Sequence, residues 1–260
     1  MKVDLDQCRR ELTARALIPS DRIAVVIVGS VARGWANRGS DHDFYVITRT
    51  PWRRRGGVTT AVPLQPNQVA REALRVNGRR WELKYWLDRQ VDQMLQKVSW
   101  ARFEAGGSAA GPLSETEELF LERLFTCIPV EGADWVRRRR AELKESAFQA
   151  ILVTRSLALS DACAEEALGQ LADGDPPSAV LSARKALGHS VDALLESRGH
   201  YGSQLPKWRA RRVREARLPM LPFERYWDYE TMAGFDKDNP RPWIDSVILF
   251  CKQLSLEVEI

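Results

Sequence analysis

The stretch from Ile23 to Thr48, IAVVIVGSVARGWANRGSDHDFYVIT, constrains this chain more than any other. Its apolar, β-branched run Ile23–Val28 ends in a Gly-Ser pair, and a second such run follows from His42 to Thr48, the pattern of two strands bounded by turn residues. A short helix is expected between them, from Val31 to Asn37. Gly29-Ser30 ends the first strand where backbone N–H groups and a hydroxyl point outward, a geometry suited to phosphate oxygens. Asp41 and Asp43 lie two apart, so both carboxylates leave one face of the second strand. A phosphate cradle beside paired carboxylates is a way of arranging divalent cations around a nucleoside triphosphate.

The spaced pattern Gly29, Ser30, Ala32, Arg33, Gly34, Ala36, Gly39, Ser40, Asp41 and Asp43 resembles the signature of the DNA-polymerase-β-type nucleotidyltransferase superfamily. Its spacing is similar to that of the minimal and kanamycin-nucleotidyltransferase-like branch. The resemblance covers about twenty residues and implies an enzyme that moves a nucleoside monophosphate, AMP by analogy, from a triphosphate to an acceptor hydroxyl. It implies two Mg²⁺ ions and an NTP, with ATP expected. It also implies a third carboxylate on a later strand of the same sheet.

Glu82 fits that third position. Asn77-Gly78 is a strong hairpin signal, and the following arm alternates with period two. Trp81, Leu83, Tyr85 and Leu87 share one face; Glu82, Lys84 and Trp86 share the other. An acid in an apolar strand is costly to bury unless a cation compensates it. The competing reading for Glu82 is a salt bridge to a neighbouring arginine. Asp88 and Asp92 read instead as residues of a helix running from Asp88 to Ser99. The expected ligand set for metal and catalysis is therefore Asp41, Asp43 and Glu82. Gly29, Ser30 and Ser40 are the expected phosphate contacts. Arg33 is left between a structural and a binding role, and His42 is expected to pack on the opposite face.

Composition sets bounds on the rest. The 260 residues are 44% hydrophobic and 28% charged, as in ordinary globular proteins. Lys and Arg number 39 against 35 Asp and Glu, a balance too even for a protein that coats nucleic acid. No apolar run approaches the ~20 residues of a membrane span, and Met1–Arg10 lacks a secretory pattern, so a cytoplasmic protein with no membrane partner is expected. The scattered Cys8, Cys127, Cys163 and Cys251 are expected as packed, reduced thiols.

Leu5, Cys8, Leu12 and Leu17 predict an N-terminal packing helix. Residues 49–66 read as a loop with a short strand at Val58–Val62; its Arg53-Arg54-Arg55 run is read as solvated rather than as a phosphate grip. Residues 104–112 are small and flexible in composition, a linker. Ser114 and Glu117 form a capping box opening a helix that ends near Pro129. Beyond it the pattern is helical: one long helix from Trp135 to Leu171, further helices to the end, and a strongly basic segment Lys207–Arg217. The expected fold class is α+β, with a mixed-sheet catalytic domain at 1–112 and an all-helical acceptor-binding domain at 113–260.

Tyr201 and Pro206-Lys207-Trp208 resemble a Tyr…Pro-Lys-Trp segment in helical domains attached to small nucleotidyltransferases, which implies that Lys207 neutralises phosphate. The family also implies a general base in the helical half; Glu142, Glu145, Asp161, Glu165 and Glu166 are candidates. The expected partners are an NTP and a small-molecule acceptor such as an antibiotic or natural product, in a monomer or homodimer. A protein or tRNA acceptor, with the basic helix as docking surface, is the alternative, and nucleic acid is admitted without being favoured. An inactive nucleotide-binding module is a third reading, disfavoured by the retained carboxylates.

Overall fold

The computed structural model describes residues 4–52, 57–106 and 113–259. The chain divides into two compact units, one of residues 1–105 with 112–146, the other of residues 147–260 with 106–111. Arg53-Arg54-Arg55 and most of the expected linker, residues 107–112, lie outside the described residues.

The first unit runs α1 (Leu5–Ala14), β1 (Arg22–Val28), α2 (Gly29–Ala32), β2 (His42–Thr48), β3 (Val58–Ala61), β4 (Gln68–Val76) and β5 (Arg79–Leu87). It continues through α3 (Asp88–Lys97), α4 (Trp100–Glu104), α5 (Glu115–Thr126), β6 (Ile128–Glu131) and α6 (Ala133–Lys144). Its mixed sheet has the order β3-β4-β5-β2-β1-β6. Every neighbouring pair is antiparallel except β2 and β5, which run parallel.

The hairpin turns where the sequence predicts. Val76 pairs with Arg79, and Asn77 and Gly78 both take positive φ, 49° and 78°, the conformation that a two-residue type I′ turn demands. The alternation of β5 also holds. Trp81, Leu83 and Tyr85 join Phe44, Val46, Val25 and Ile27 in a core that α1 covers with Cys8 and Leu12. On the opposite face Phe120 of α5 stacks on Tyr45 (5.1 Å between ring centroids) and tilts against Trp86 (4.9 Å). The capping box at Ser114 is present: the Glu117 carboxylate accepts from the Ser114 backbone N–H at 2.8 Å.

Three expectations need correction. The boundary at 112 falls too early, because β6 pairs with β1 and completes the sheet; the first unit therefore runs on to 146. β6 hides in the sequence because it is four residues long and contains Pro129, which a sheet tolerates on an edge strand where its missing N–H costs no ladder bond. The long helix from Trp135 to Leu171 is two helices, α6 and α7 (Phe148–Ala172), separated at residues 145–147.

The second unit is all-helical: α7, α8 (Pro176–Ser197), a 3₁₀ turn (Pro206–Trp208), α9 (Arg209–Ala216), α10 (Phe223–Glu230) and α11 (Arg241–Ser255). Leu187, Val191, Leu194, Ile244, Val247 and Phe250 lie at the centre of its core. The architecture as a whole is α+β. Among the described residues no helix is long and apolar enough to cross a membrane, and all four cysteines are free thiols.

Candidate active site

Asp43 is the Cα partner of Glu82 across the parallel β2–β5 pair, and of Val28, the last residue of β1, on its other side. Partners in register present their side chains on the same face. Asp43 and Glu82 therefore stand together, on the face away from α1, beside the Gly29-Ser30 turn. Asp41 immediately precedes β2, two residues before Asp43.

The turn is pressed against this carboxylate. A Cβ on Gly29 would come within 2.5 Å of Asp43 Oδ2, and Gly29 has φ +72°. Only glycine meets both demands. Gly29→Ala is accordingly expected to cost about 1–2 kcal/mol in backbone strain and to push the Asp43 carboxylate aside; thermal unfolding of the variant checks the first effect. Ser30 is the second residue of α2, partly exposed, with its carbonyl accepting from Trp35 N–H at 2.8 Å. Ser40 has a local role: its hydroxyl accepts from the Asn37 N–H at 2.9 Å and donates to Asn37 Oδ1 at 3.2 Å, closing the turn that delivers Asp41.

The electrostatics are those of a crowded polar cluster at the end of an apolar face. Burial pushes the Asp43 carboxyl up; the charges of Arg123 and Lys84 oppose this, while those of Glu82 and Asp41 add to it. Arg123, on α5, was not singled out by sequence reasoning. Its Nη1 donates to the Tyr45 hydroxyl at 3.1 Å and its guanidinium lies over the Tyr45 ring at 5.7 Å. Burial works against the Arg123 charge, but Tyr45 and Asp43 more than offset it, so its pKa lies above the ordinary guanidinium value. Lys84 shares the face with Glu82, and burial and Arg123 hold its pKa below that of a free lysine. Asp43 thus sits between two like charges and two unlike ones.

Arg80 provides a third cation. Its Nη1 lies 3.7 Å from Asp41 Oδ2, and its Nη2 is ion-paired with Glu82 Oε1. The salt-bridge reading of Glu82 is therefore realised in the structure. Among the described residues no three carboxylate, imidazole or thiol groups converge on one point as a finished metal cage does; two of the three carboxylates here are drawn onto Arg80. The donors still fit a divalent cation in kind: three hard carboxylate oxygen sources lie at one end of one face, and the charges of Glu82 and Asp41 already weigh on Asp43.

Other sequence candidates sort clearly. His42 is buried on the opposite face, stacked on Trp81 at 5.9 Å, as expected. Arg33 lies 4.7 Å over the Trp35 ring. Asp88 opens α3, and Asp88 and Asp92 each take Arg139 at 2.6 Å, a structural tie to α6. Glu142 is ion-paired with Arg139 at 2.8 Å and Glu145 caps α6 at its C-terminal end, both in the first unit. Asp161, Glu165 and Glu166 are exposed on α7. Lys207 belongs to the second unit, exposed in the 3₁₀ turn with its Nζ 5.8 Å over the Trp208 ring.

The basic segment Lys207–Arg217 is less of a surface than its sequence suggests. Arg212 is 1% exposed, and both Arg209 and Arg212 point inward onto Asp192. Arg211 pairs with Glu215, and Arg214 lies 4.1 Å over the Phe223 ring.

Comparisons with known proteins bear on the fold and on the first part of the chain. The crystal structure of a nucleotidyltransferase-like protein from Exiguobacterium sibiricum superposes with a TM-score of 0.51 at 13% identity, covering 96% of this chain and 73% of that one. At that identity the likeness shows the fold alone. No curated protein matches the chain. Residues 5–108 match the nucleotidyltransferase domain family, and this span contains Gly29, Ser30, Asp41, Asp43 and Glu82 together. That match supports a nucleotidyltransferase domain over residues 5–108 and, with it, a transferase of nucleotidyl groups.

Proposed function

We propose that the protein transfers a nucleoside monophosphate, AMP in preference, from a triphosphate to a hydroxyl of a small-molecule acceptor such as an antibiotic or natural product, using Mg²⁺ held by Asp41, Asp43 and Glu82. The observation that carries this reading is the register of Asp43 opposite Glu82, with the Gly29 turn closed onto the Asp43 carboxylate. In the reaction the acceptor oxygen attacks the α-phosphorus, the bond from that phosphorus to the bridging oxygen breaks, and pyrophosphate leaves with the bonding pair. The hydroxyl proton passes to a base.

Divalent cations at these carboxylates would supply neutralisation of phosphate charge and alignment of the acceptor and leaving oxygens. The chain's own residues do the rest. The backbone at Gly29 and the Ser30 hydroxyl hold the polyphosphate tail, while Lys84 and Arg123 set the field around Asp43.

The small-molecule acceptor is favoured over tRNA because α9 spends Arg209 and Arg212 on Asp192 inside the second unit, which removes charge that a nucleic-acid surface would need. The test is incubation of the full chain with Mg²⁺ and each α-labelled NTP against aminoglycosides, lincosamides and tRNA. Label is expected on a small acceptor with matching pyrophosphate release. Label on tRNA alone overturns the acceptor, and no pyrophosphate with any acceptor overturns the reaction.

A further inference from the structure

Arg80 stands two residues before Glu82 on β5, on the same face, and opposite the start of β2 where Asp41 lies. Its guanidinium bridges the two carboxylates, 3.7 Å from Asp41 Oδ2 and paired to Glu82 Oε1. The oxygens it holds are the ones that the proposed function gives to a divalent cation. A guanidinium and a hard cation compete for the same lone pairs, so one must leave when the other binds.

Exposure shows which one yields. The Arg80 side chain is 50% exposed and its two partners about a third exposed, 35% and 34%. Exposed ion pairs of this kind are weak and screened by water, whereas a divalent cation is a hard Lewis acid that carboxylate oxygens ligate directly. Arg123, by contrast, is part-buried, feels the charge of Asp43 and is bonded to Tyr45, so it stays. Displaced from both anions, Arg80 remains a long, mobile cation at the rim of the site. The anion then within its reach is a polyphosphate, whose oxygens suit the planar fork of a guanidinium.

We propose that Arg80 is an exchange residue. It holds Asp41 and Glu82 until a divalent cation takes them, and its released guanidinium then binds the phosphates of the incoming nucleotide. This rests on the reading of the site as a metal-dependent nucleotide site. It deepens that reading by giving one side chain two successive anionic partners, with metal binding as the step between.

Two binding measurements on the full chain test it, neither needing turnover. In Mn²⁺ titrations followed by electron paramagnetic resonance without nucleotide, Arg80→Ala is expected to bind Mn²⁺ about three- to fivefold more tightly than wild type, the loss of a competitor worth under about 1 kcal/mol. In Mg²⁺ with a non-hydrolysable NTP analogue, the same variant is expected to bind the nucleotide about tenfold more weakly, as befits the loss of one charge-assisted contact. Arg80→Lys, which keeps the charge without the fork, is expected to fall between in both. Unchanged or weaker Mn²⁺ binding in Arg80→Ala overturns the exchange. Tighter Mn²⁺ binding with unaltered nucleotide affinity overturns the second partner. Wild-type protein that binds neither Mn²⁺ nor nucleotide overturns the underlying reading of the site itself, a distinguishable result.

Discussion

Asp43→Asn is expected to lower kcat/KM for nucleotidyl transfer by roughly a thousandfold or more, the scale of removing one preorganised electrostatic group from a phosphoryl-transfer site. The amide keeps the shape of the side chain, so the Gly29 turn that packs on it is not disturbed. It removes the charge that faces Glu82 on the next strand. The fold is expected to be at least as stable as before. The Asp43 carboxyl is pushed up, with burial the largest cause, so folding disfavours its ionised form. Above the ordinary carboxylate pKa the unfolded chain releases this proton before the folded one does; stability contributed by this group falls as pH rises through that interval and stays lower above it. An uncharged residue lacks that slope. Pyrophosphate release gives the rate and thermal unfolding at pH 5 and pH 8 gives the stability. Activity within tenfold of wild type would remove Asp43 from the reacting phosphate, and a variant that unfolds several degrees early would make its charge structural.

The carboxylate pair and the Gly-Ser turn were legible because they are local. Gly29, Asp41, Asp43 and the Asn77-Gly78 hairpin each depend on a few consecutive residues, and period-two alternation was enough to put Glu82 on the correct face of β5. What the sequence concealed is non-local. Arg123 reaches Tyr45, 78 positions away, and nothing about an arginine on an amphipathic helix announces that its charge will bear on Asp43. The helix break at 145–147 carries no Gly or Pro, so the pattern reads straight through it, and with it goes the end of the first unit. β6 is four residues joined to the sheet through β1, more than a hundred positions earlier. The inward turn of Arg209 and Arg212 was concealed for the same reason, since a basic run is usually solvated and the acid that draws these two inside lies on another helix.

That acid sets the second large effect. Asp192, on α8, is 2% exposed; its Oδ1 accepts from Arg209 Nε at 3.1 Å and its Oδ2 from Arg209 Nη2 at 2.8 Å, while Arg212 also pairs with Oδ1 and donates to the His200 carbonyl at 3.1 Å. The nearby Glu196 is fully buried and accepts from the Ser156 hydroxyl at 2.7 Å; burial, with the charge of Asp192 adding, pushes its carboxyl up to about 7. Glu196 is thus only partly ionised at neutral pH, and Asp192 is the main counter-charge for two inward guanidiniums. Its removal leaves both cations in low dielectric with no full partner. Such uncompensated burial costs about 3–5 kcal/mol, so Asp192→Ala is expected to lower the melting temperature by about 10 °C or more. The matched control is Glu215→Ala, which breaks the exposed Arg211–Glu215 pair and is expected to change stability by less than about 0.5 kcal/mol. Circular dichroism melts of both variants decide the matter. Should Asp192→Ala melt with its control, the two arginines must have found water, and α9 would regain the outward basic face that favours a polyanionic acceptor.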